Sequence, residues 1–365
     1  MRYYIIAGEA SGDLHGGNLI RALHRQDAAA EVRCWGGDRM EAAGATLVRH
    51  YRDLAFMGFV EVLRHLRTIF RNIEFCKKDI QAFRPDVLVL IDYPGFNMRI
   101  AKWARQQGLK VVYYISPQIW AWKEGRVHAI RRDVDNMLVI LPFEEDFYRK
   151  WNYPVTYVGH PLVEVVEAEQ NEVPPLSLSG KPVIALLPGS RAQEIRIKLP
   201  YMLQMVKHFP NHSFAIACAP SQPESLYREI AGDTEVLLVK NAYHLLRQSK
   251  AALVTSGTAT LETALFGVPQ VVCYKGNQLS YWLARKLIRV KYISLVNLIM
   301  DKPVVKELIQ HELNETNLKH ELERLLFDEA YIARMKDDYA QLKSRLGSLP
   351  ASENAAAAVV ATARQ

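Results

Sequence analysis

The sequence predicts an α/β protein of two Rossmann-like domains facing a cleft, followed by a mostly helical C-terminal segment. Three observations carry this. Apolar runs of strand length alternate with amphipathic segments of helix length, the pattern of βαβ units and a parallel sheet. The alternation stops once, at the polar, proline-containing "VEAEQNEVPPLSLSGK" of 166–181, and then restarts. At 365 residues the chain exceeds one ordinary core. The expected division is an N-terminal domain over 1–165, a linker over 166–181, a second domain over 182–345 and a terminal helix over 346–365.

In the first half the strands expected are Tyr3–Ala7, Glu31–Trp35, Val87–Ile91, Lys110–Ile115, Met137–Leu141 and Val155–Val158. Each is a short apolar run closed by turn residues. Helical periodicity fills Leu14–Arg25, Gly58–Phe83 and Asn97–Gln107 between them. In the second half Val183–Leu187, Ser213–Cys218, Val236–Val239, Ala251–Thr255 and Gln270–Tyr274 read as strands, with helices over Gln193–His208 and Thr258–Phe266. From Asn277 onward the chain reads as mostly helical.

Composition narrows the function. The 46 Lys+Arg against 39 Asp+Glu give a net charge of +7, which favours anionic partners. The basic residues are scattered, which argues against nucleic acid. Cys34, Cys76, Cys218 and Cys273 stand far apart among apolar neighbours and read as buried thiols. No His, Cys or carboxylate cluster has metal-ligand spacing, so neither metal nor cofactor is expected. The N-terminus runs straight into a strand and no apolar run has membrane-span length, so a cytoplasmic protein is expected.

Four stretches carry candidate chemistry. In "DVLVLIDYPGFN" (86–97) a buried strand ends in Asp92 at a tight turn, where parallel sheets place their ligand sites; a turn or helix cap is the alternative use. "AGEASGDLHGG" (7–17) follows the first strand but lacks dinucleotide-loop spacing. Glu9 and Asp13 would repel a pyrophosphate, so a substrate-facing polar loop is expected, with capping by Ser11 or Asp13 the alternative. "LLPGSRAQEI" (186–195) offers a helix N-terminus, the Ser190 hydroxyl and the Arg191 guanidinium to a diphosphate. "TSGTATLETALFGVPQV" (255–271) offers a second such terminus at Ser256, Gly257 and Thr258, with Glu262 able to accept from a ribose diol. The tryptophans of "SPQIWAW" (116–122) suit either sugar stacking or core packing.

Taken in order with "FMGFVEVL", "LPFE", "VGHPL" and "YISLVNL", these stretches resemble the lipid A disaccharide synthase family over nearly the whole chain. The resemblance implies the GT-B glycosyltransferase fold. It implies inverting transfer of 2,3-diacylglucosamine from its UDP ester to 2,3-diacylglucosamine 1-phosphate (lipid X), at the cytoplasmic face of the inner membrane, and a homodimer. Asp92 becomes the expected base, with Glu9 the second catalytic candidate and Asn297 joining the UDP-sugar residues. Ser11 and the apolar Phe56, Met57 and Phe59 become acceptor or acyl contacts, the last three next to a basic helix face at Arg64, Arg67 and Arg71 suited to anionic lipid. The sequence departs from the family pattern at Tyr93, at Gly95, where a second acid is usual, and at Val296, where proline is usual. A UDP-sugar 2-epimerase of the same fold and a non-enzymatic anionic-surface binder are the rival readings.

Overall fold

The computed structural model describes residues 1–54, 66–169, 180–276 and 290–365. The chain divides into two units: Met1–Pro161 together with Gly347–Gln365, and Leu162–Leu346.

The first unit is built on a seven-stranded sheet: β1 (Arg2–Ala7), β2 (Glu31–Gly36), β3 (Thr46–His50), β4 (Val87–Ile91), β5 (Val111–Tyr114), β6 (Asn136–Val139) and β7 (Thr156–Tyr157). Their order is β3-β2-β1-β4-β5-β6-β7, and every pair is parallel. Helices cover both faces, which is why β4, and β1 from Tyr3 onward, are continuous apolar runs: each side chain of β4 is buried. On one face Ile73, Ile80, Ile100 and Ile130 pack against Tyr4, Leu88 and Tyr113. On the other, α1 (Ala10–Gln26) and the terminal helix Ala351–Arg364 pack against Ile5, Val89 and Val112.

The return of Ala351–Arg364 to the first unit has a simple basis. Its alanines favour helix, and their small side chains let it seat closely, with Ala355, Ala356 and Val359 fully buried. Polar contacts fix its register: Gln26 Nε2 donates to Glu353 at 3.0 Å, and Asn354 Nδ2 donates to the Val158 carbonyl at 3.2 Å.

The second unit carries a six-stranded parallel sheet: β8 (Val183–Leu187), β9 (Ser213–Ala217), β10 (Leu237–Val239), β11 (Ser249–Thr255), β12 (Gln270–Tyr274) and β13 (Lys306–Ile309). The order is β10-β9-β8-β11-β12-β13. The helices Glu315–Phe327 and Glu329–Leu346 complete it.

Two strands contradict the sequence reading. β3 and β13 were not expected, and β13 interrupts a stretch read as helical. Both are edge strands with few buried positions, so neither shows the apolar run that marks a central parallel strand. The four cysteines are buried free thiols. Among the described residues no helix is long and apolar enough to cross a membrane.

Candidate active site

In the first sheet the chain runs β1, β2, β3 to one side and then returns to lay β4 on the other side of β1. The crevice at the carboxyl ends of β1 and β4 is therefore the topological switch point, where open α/β sheets bind ligands. Ala7 is in register with Ile91, so Gly8-Glu9 and Asp92-Tyr93 leave the sheet side by side.

Asp92 and Tyr93 both adopt left-handed backbone, with φ of 44° and 49°. For residues with a Cβ this costs roughly 1–2 kcal/mol each. Asn97 holds the arrangement: its buried Nδ2 donates to the carbonyls of Asp92 at 2.8 Å and Ile91 at 3.2 Å. The Tyr113 hydroxyl donates to the Asp92 carbonyl at 2.5 Å, and the Asp92 N–H donates to the Tyr114 carbonyl at 3.2 Å. The Tyr93 ring lies flat on Gly8, where a Cβ would come within 2.3 Å of it, so only glycine fits under this side chain.

Asp92 does not cap the following helix. That helix begins at Pro94, earlier than the sequence suggested, because proline presets its first φ. Its N-cap residue is Tyr93, with no side-chain cap bond. The Asp92 carboxyl is thus left for other use. Burial first, and the neighbouring Glu9 carboxylate next, push it up to about 6, against a partial offset from the Tyr93 N–H.

The loop after β1 corrects the reading of its capping residues. α1 begins at Ala10, not near Asp13. Asp13 is buried and serves a different helix: its carboxylate accepts the N–H groups of Gly37 at 2.7 Å, Arg39 at 3.2 Å and Met40 at 3.1 Å, closing the start of Asp38–Ala42. Glu9 stands at the N-cap of α1 without capping it, and Ser11 is exposed beside it. Phe56, Met57 and Phe59 lie outside the described residues.

The two tryptophans of 116–122 part company. Trp120 is half-buried, its Nε1 donating to Glu144 at 3.2 Å. Glu144 also accepts the N–H groups of Leu141 at 3.0 Å and Ile140 at 3.3 Å; burial pushes its carboxyl up to about 7. Trp122 is exposed, with Lys123 Nζ 4.2 Å from its ring centre. The core residue of this stretch is Ile119.

The second sheet repeats the logic. β8 leads to β9 and β10 on one side, and β11 to β12 and β13 on the other, so the switch point lies between β8 and β11. Both strands open into helices there, Ala192–Leu203 and Thr258–Leu265, whose N-termini present unsatisfied N–H groups and positive dipole ends. Gly189 has φ of 124°, and a Cβ there would meet Glu194 Oε2 at 2.6 Å. The Ser190 carbonyl is held by Ser221 and Gln222, both at 3.1 Å, which leaves its exposed hydroxyl at the helix start. Arg191 is the N-cap residue; its side chain is exposed and only loosely paired with Glu194, at 3.7 Å.

Around the second helix start, Gly257 and Thr258 are exposed, and the Ser256 hydroxyl donates to the Ile293 carbonyl at 2.8 Å. Glu262 is half-buried, accepts from the Tyr243 hydroxyl at 2.9 Å and is pushed upward by burial. Asn297 is buried, its Nδ2 donates to Val305 and Glu307, both at 2.9 Å, and its Oδ1 accepts from the Val305 N–H at 2.9 Å. Both Nδ2 protons and one Oδ1 lone pair are used in pinning helix Leu295–Met300 to the approach of β13, which gives the side chain a structural role that its place in the sequence did not show. Val296 is fully buried in that helix.

Sequence reasoning missed Lys198. Only 4% exposed, its ammonium reaches the Thr255 hydroxyl at the end of β11 and lies 3.9 Å from Glu194. Burial lowers its proton affinity. Its sequence signal is a lysine among apolar positions, seven residues past Arg191 on the same helix.

Comparison with known proteins follows the same lines. The family model described as lipid-A-disaccharide synthetase matches residues 3–359. A lipid-A-disaccharide synthase of Trichlorobacter lovleyi is 38% identical, covering 100% of this chain and 98% of the relative. One from Geobacter metallireducens is 39% identical, over 98% and 96%. Among solved structures, a UDP-GlcNAc 2-epimerase from Neisseria meningitidis superposes with a TM-score of 0.68 at 13% identity, covering 99% of each chain. The glycotransferase of kitacinnamycin gives 0.66 at 14% identity, over 99% and 98%. At such identities these two establish the fold alone, the two-sheet GT-B type.

Proposed function

This chain belongs to the lipid-A-disaccharide synthetase family, and from that premise we propose how its residues divide the reaction. The protein is a glycosyltransferase of lipid A synthesis, joining UDP-2,3-diacylglucosamine to lipid X with release of UDP. The epimerase reading has fold likeness in its favour but not the sequence relatives, which are synthases at 38–39% identity.

The acceptor reacts at the first sheet. Its 6-hydroxyl oxygen attacks the anomeric carbon, the bond from that carbon to the diphosphate oxygen breaks, and the electron pair leaves on UDP. The hydroxyl proton passes to Asp92. The observation that carries this is a half-buried carboxyl at the switch point with its proton affinity raised to about 6, close to what a general base needs near neutrality. Glu9 assists by keeping Asp92 basic, and Ser11, exposed beside it, contacts the acceptor.

UDP belongs to the second sheet. The helix starts at 192 and 258, with Arg191, Ser190, Ser256, Gly257 and Thr258, hold the diphosphate and stabilise the leaving charge. Glu262 accepts from the ribose. Arg191→Ala is expected to weaken UDP binding by about 1.5–3 kcal/mol, the weight of a charge-assisted contact, with the acceptor KM little changed. Calorimetry showing wild-type UDP affinity would reject the role. The parent reaction is tested by incubating the protein with both lipid substrates and following UDP release.

We place the protein peripherally on the cytoplasmic face of the inner membrane, as a homodimer. Supporting a lipid contact, Phe70 is 57% exposed on helix Leu66–Phe83 beside exposed Arg67 and Arg71. Phe70→Ser should weaken sedimentation with anionic vesicles, by at most about 1.5–3 kcal/mol, and leave thermal stability unchanged. Undiminished vesicle binding would remove Phe70 from the contact.

A further inference from the structure

Next to the Asp92 turn the first unit has a half-open pocket of about 270 Å³, bounded by helix Pro94–Gln106, Pro117, Ile119 and helix Val127–Asp133. Nothing in the reaction described above uses it. It is smaller than the roughly 300–1,000 Å³ of a pocket that encloses a whole drug-sized ligand, so it takes one part of a larger molecule.

Its lining has two characters. The floor is apolar, from Met98, Ile119, Ala129 and Ile130. The rim is cationic, from Arg99, Lys102, Arg126 and Arg132. Arg132 is already neutralised: its guanidinium grips the buried Asp133 carboxylate through bonds of 2.7 and 2.6 Å. The other three differ. Arg99 donates to the Gly95 carbonyl, Arg126 lies 5.4 Å from the Trp122 ring centre, and Lys102 is exposed. Among the described residues none of these three has an ion-pair partner. Three uncompensated cations around an apolar hollow complement a ligand that is anionic at one end and hydrocarbon at the other.

The position of the cavity selects the ligand. Pro94 and Gly95 at its mouth are the second and third residues past Asp92. At Gly95 a Cβ would meet nothing within 4 Å, so the mouth is open where any other residue would project a side chain. We propose that this cavity is an acceptor subsite: the rim binds the phosphate of the phosphorylated acyl sugar, and the floor takes the adjoining acyl methylenes. The assignment rests on the glycosyltransferase reading above for the identity of the acceptor. The cavity alone gives the broader class, an anionic head joined to an alkyl chain, and the glycosyltransferase reading makes that head a phosphate.

The test has two independent readouts. Calorimetry with n-octyl phosphate, under saturating UDP to block the second unit, should show binding to wild type that is at least tenfold tighter than that of octyl glucoside or inorganic phosphate. Lys102→Glu, which reverses one rim charge, and Ala129→Phe, which fills the hollow, should each weaken it tenfold or more. In turnover assays both variants should raise the KM for lipid X by a similar factor, with kcat and the KM of the UDP sugar unchanged. Equal binding of octyl phosphate and octyl glucoside overturns the proposal, because the rim is then unused. Equal binding of octyl phosphate and inorganic phosphate overturns it too, because the floor is then unused. An unchanged lipid X KM in both folded variants has the same consequence. Failure of wild type to release UDP from the two lipid substrates would instead strike the glycosyltransferase reading, and the octyl phosphate series would still decide the subsite.

Discussion

Asp92→Asn is expected to lower turnover by about 10²–10⁴-fold, the usual weight of a general base, while making the folded chain more stable. The second half follows from linkage. In the unfolded chain the carboxyl ionises in the ordinary range near 3.9, whereas in the folded chain it is pushed up to about 6. The folded state therefore favours the protonated form. Below about pH 3 both states are protonated and the acid costs nothing. As pH rises toward 6 the unfolded chain releases its proton first, and the fold loses about 3 kcal/mol, a loss that then stays constant. Asparagine carries no such penalty. Its variant should match wild type near pH 3 and exceed it in denaturant melts at pH 8 by up to that amount. A variant that is inactive and also less stable at pH 8 would mean that Asp92 is a structural residue.

The same shift sets the pH profile. The wild-type kcat/KM should climb through about pH 6 as the base ionises, and the climb should vanish in Asp92→Asn. Glu9→Gln removes the like charge that disfavours ionisation, so its profile should move to lower pH. A profile left in place would show that burial alone sets the Asp92 proton affinity.

Asn97→Ala should produce the second large effect, at a residue that touches no substrate. Asn97 spans from the Asp92 and Ile91 carbonyls toward that of Ile6, at 3.5 Å, joining the ends of β4 and β1. Removing it takes a donor from the buried Ile91 and Ile6 carbonyls and leaves the Asp92 carbonyl with Tyr113, at about 1–3 kcal/mol, and frees the left-handed turn to relax. A displacement of about 1 Å at the base can cost on the order of 10²-fold in rate. The loss should fall on kcat, with the UDP Kd unchanged and the pH profile moved, because Asp92 would be less buried. A folded variant with wild-type kcat would show that the Tyr113 and Tyr114 contacts hold the turn without Asn97.

Much of this was legible in the residues. Val87–Ile91 and Val183–Leu187 are legible as strands to the residue, because a central parallel strand is covered on both faces and must be apolar throughout. Asp92 stood out because a carboxylate directly after such a run has to lie at the carboxyl edge of a sheet. Ser190-Arg191 and Gly257-Thr258 stood out because a strand, a glycine turn and a helix in succession leave N–H groups exposed. These are local signals, written within a dozen residues.

Other features depend on partners distant in the chain. The edge strands Thr46–His50 and Lys306–Ile309 form because β2 and β12 offer open edges, and their own residues read as surface. Asn297 reads in sequence as a ligand residue, and its contacts with Val305 and Glu307 come from folding. Asp13 looked like a cap for its own helix and instead closes one that begins twenty-five residues later. Lys198 looked like one more charge on an amphipathic helix, and its burial against Thr255 depends on the neighbouring strand.

The sequence by itself determined the family, the central strands of both sheets and the residue types that end them, because apolar runs, glycine turns and helix starts are dictated by nearest neighbours. Only the tertiary structure decided how basic Asp92 is, which asparagine holds it, and that, among the described residues, three cations without ion-pair partners line an apolar hollow beside it. Proton affinity, burial and charge complementarity are set by groups that folding brings together from far along the chain, and no local pattern records them.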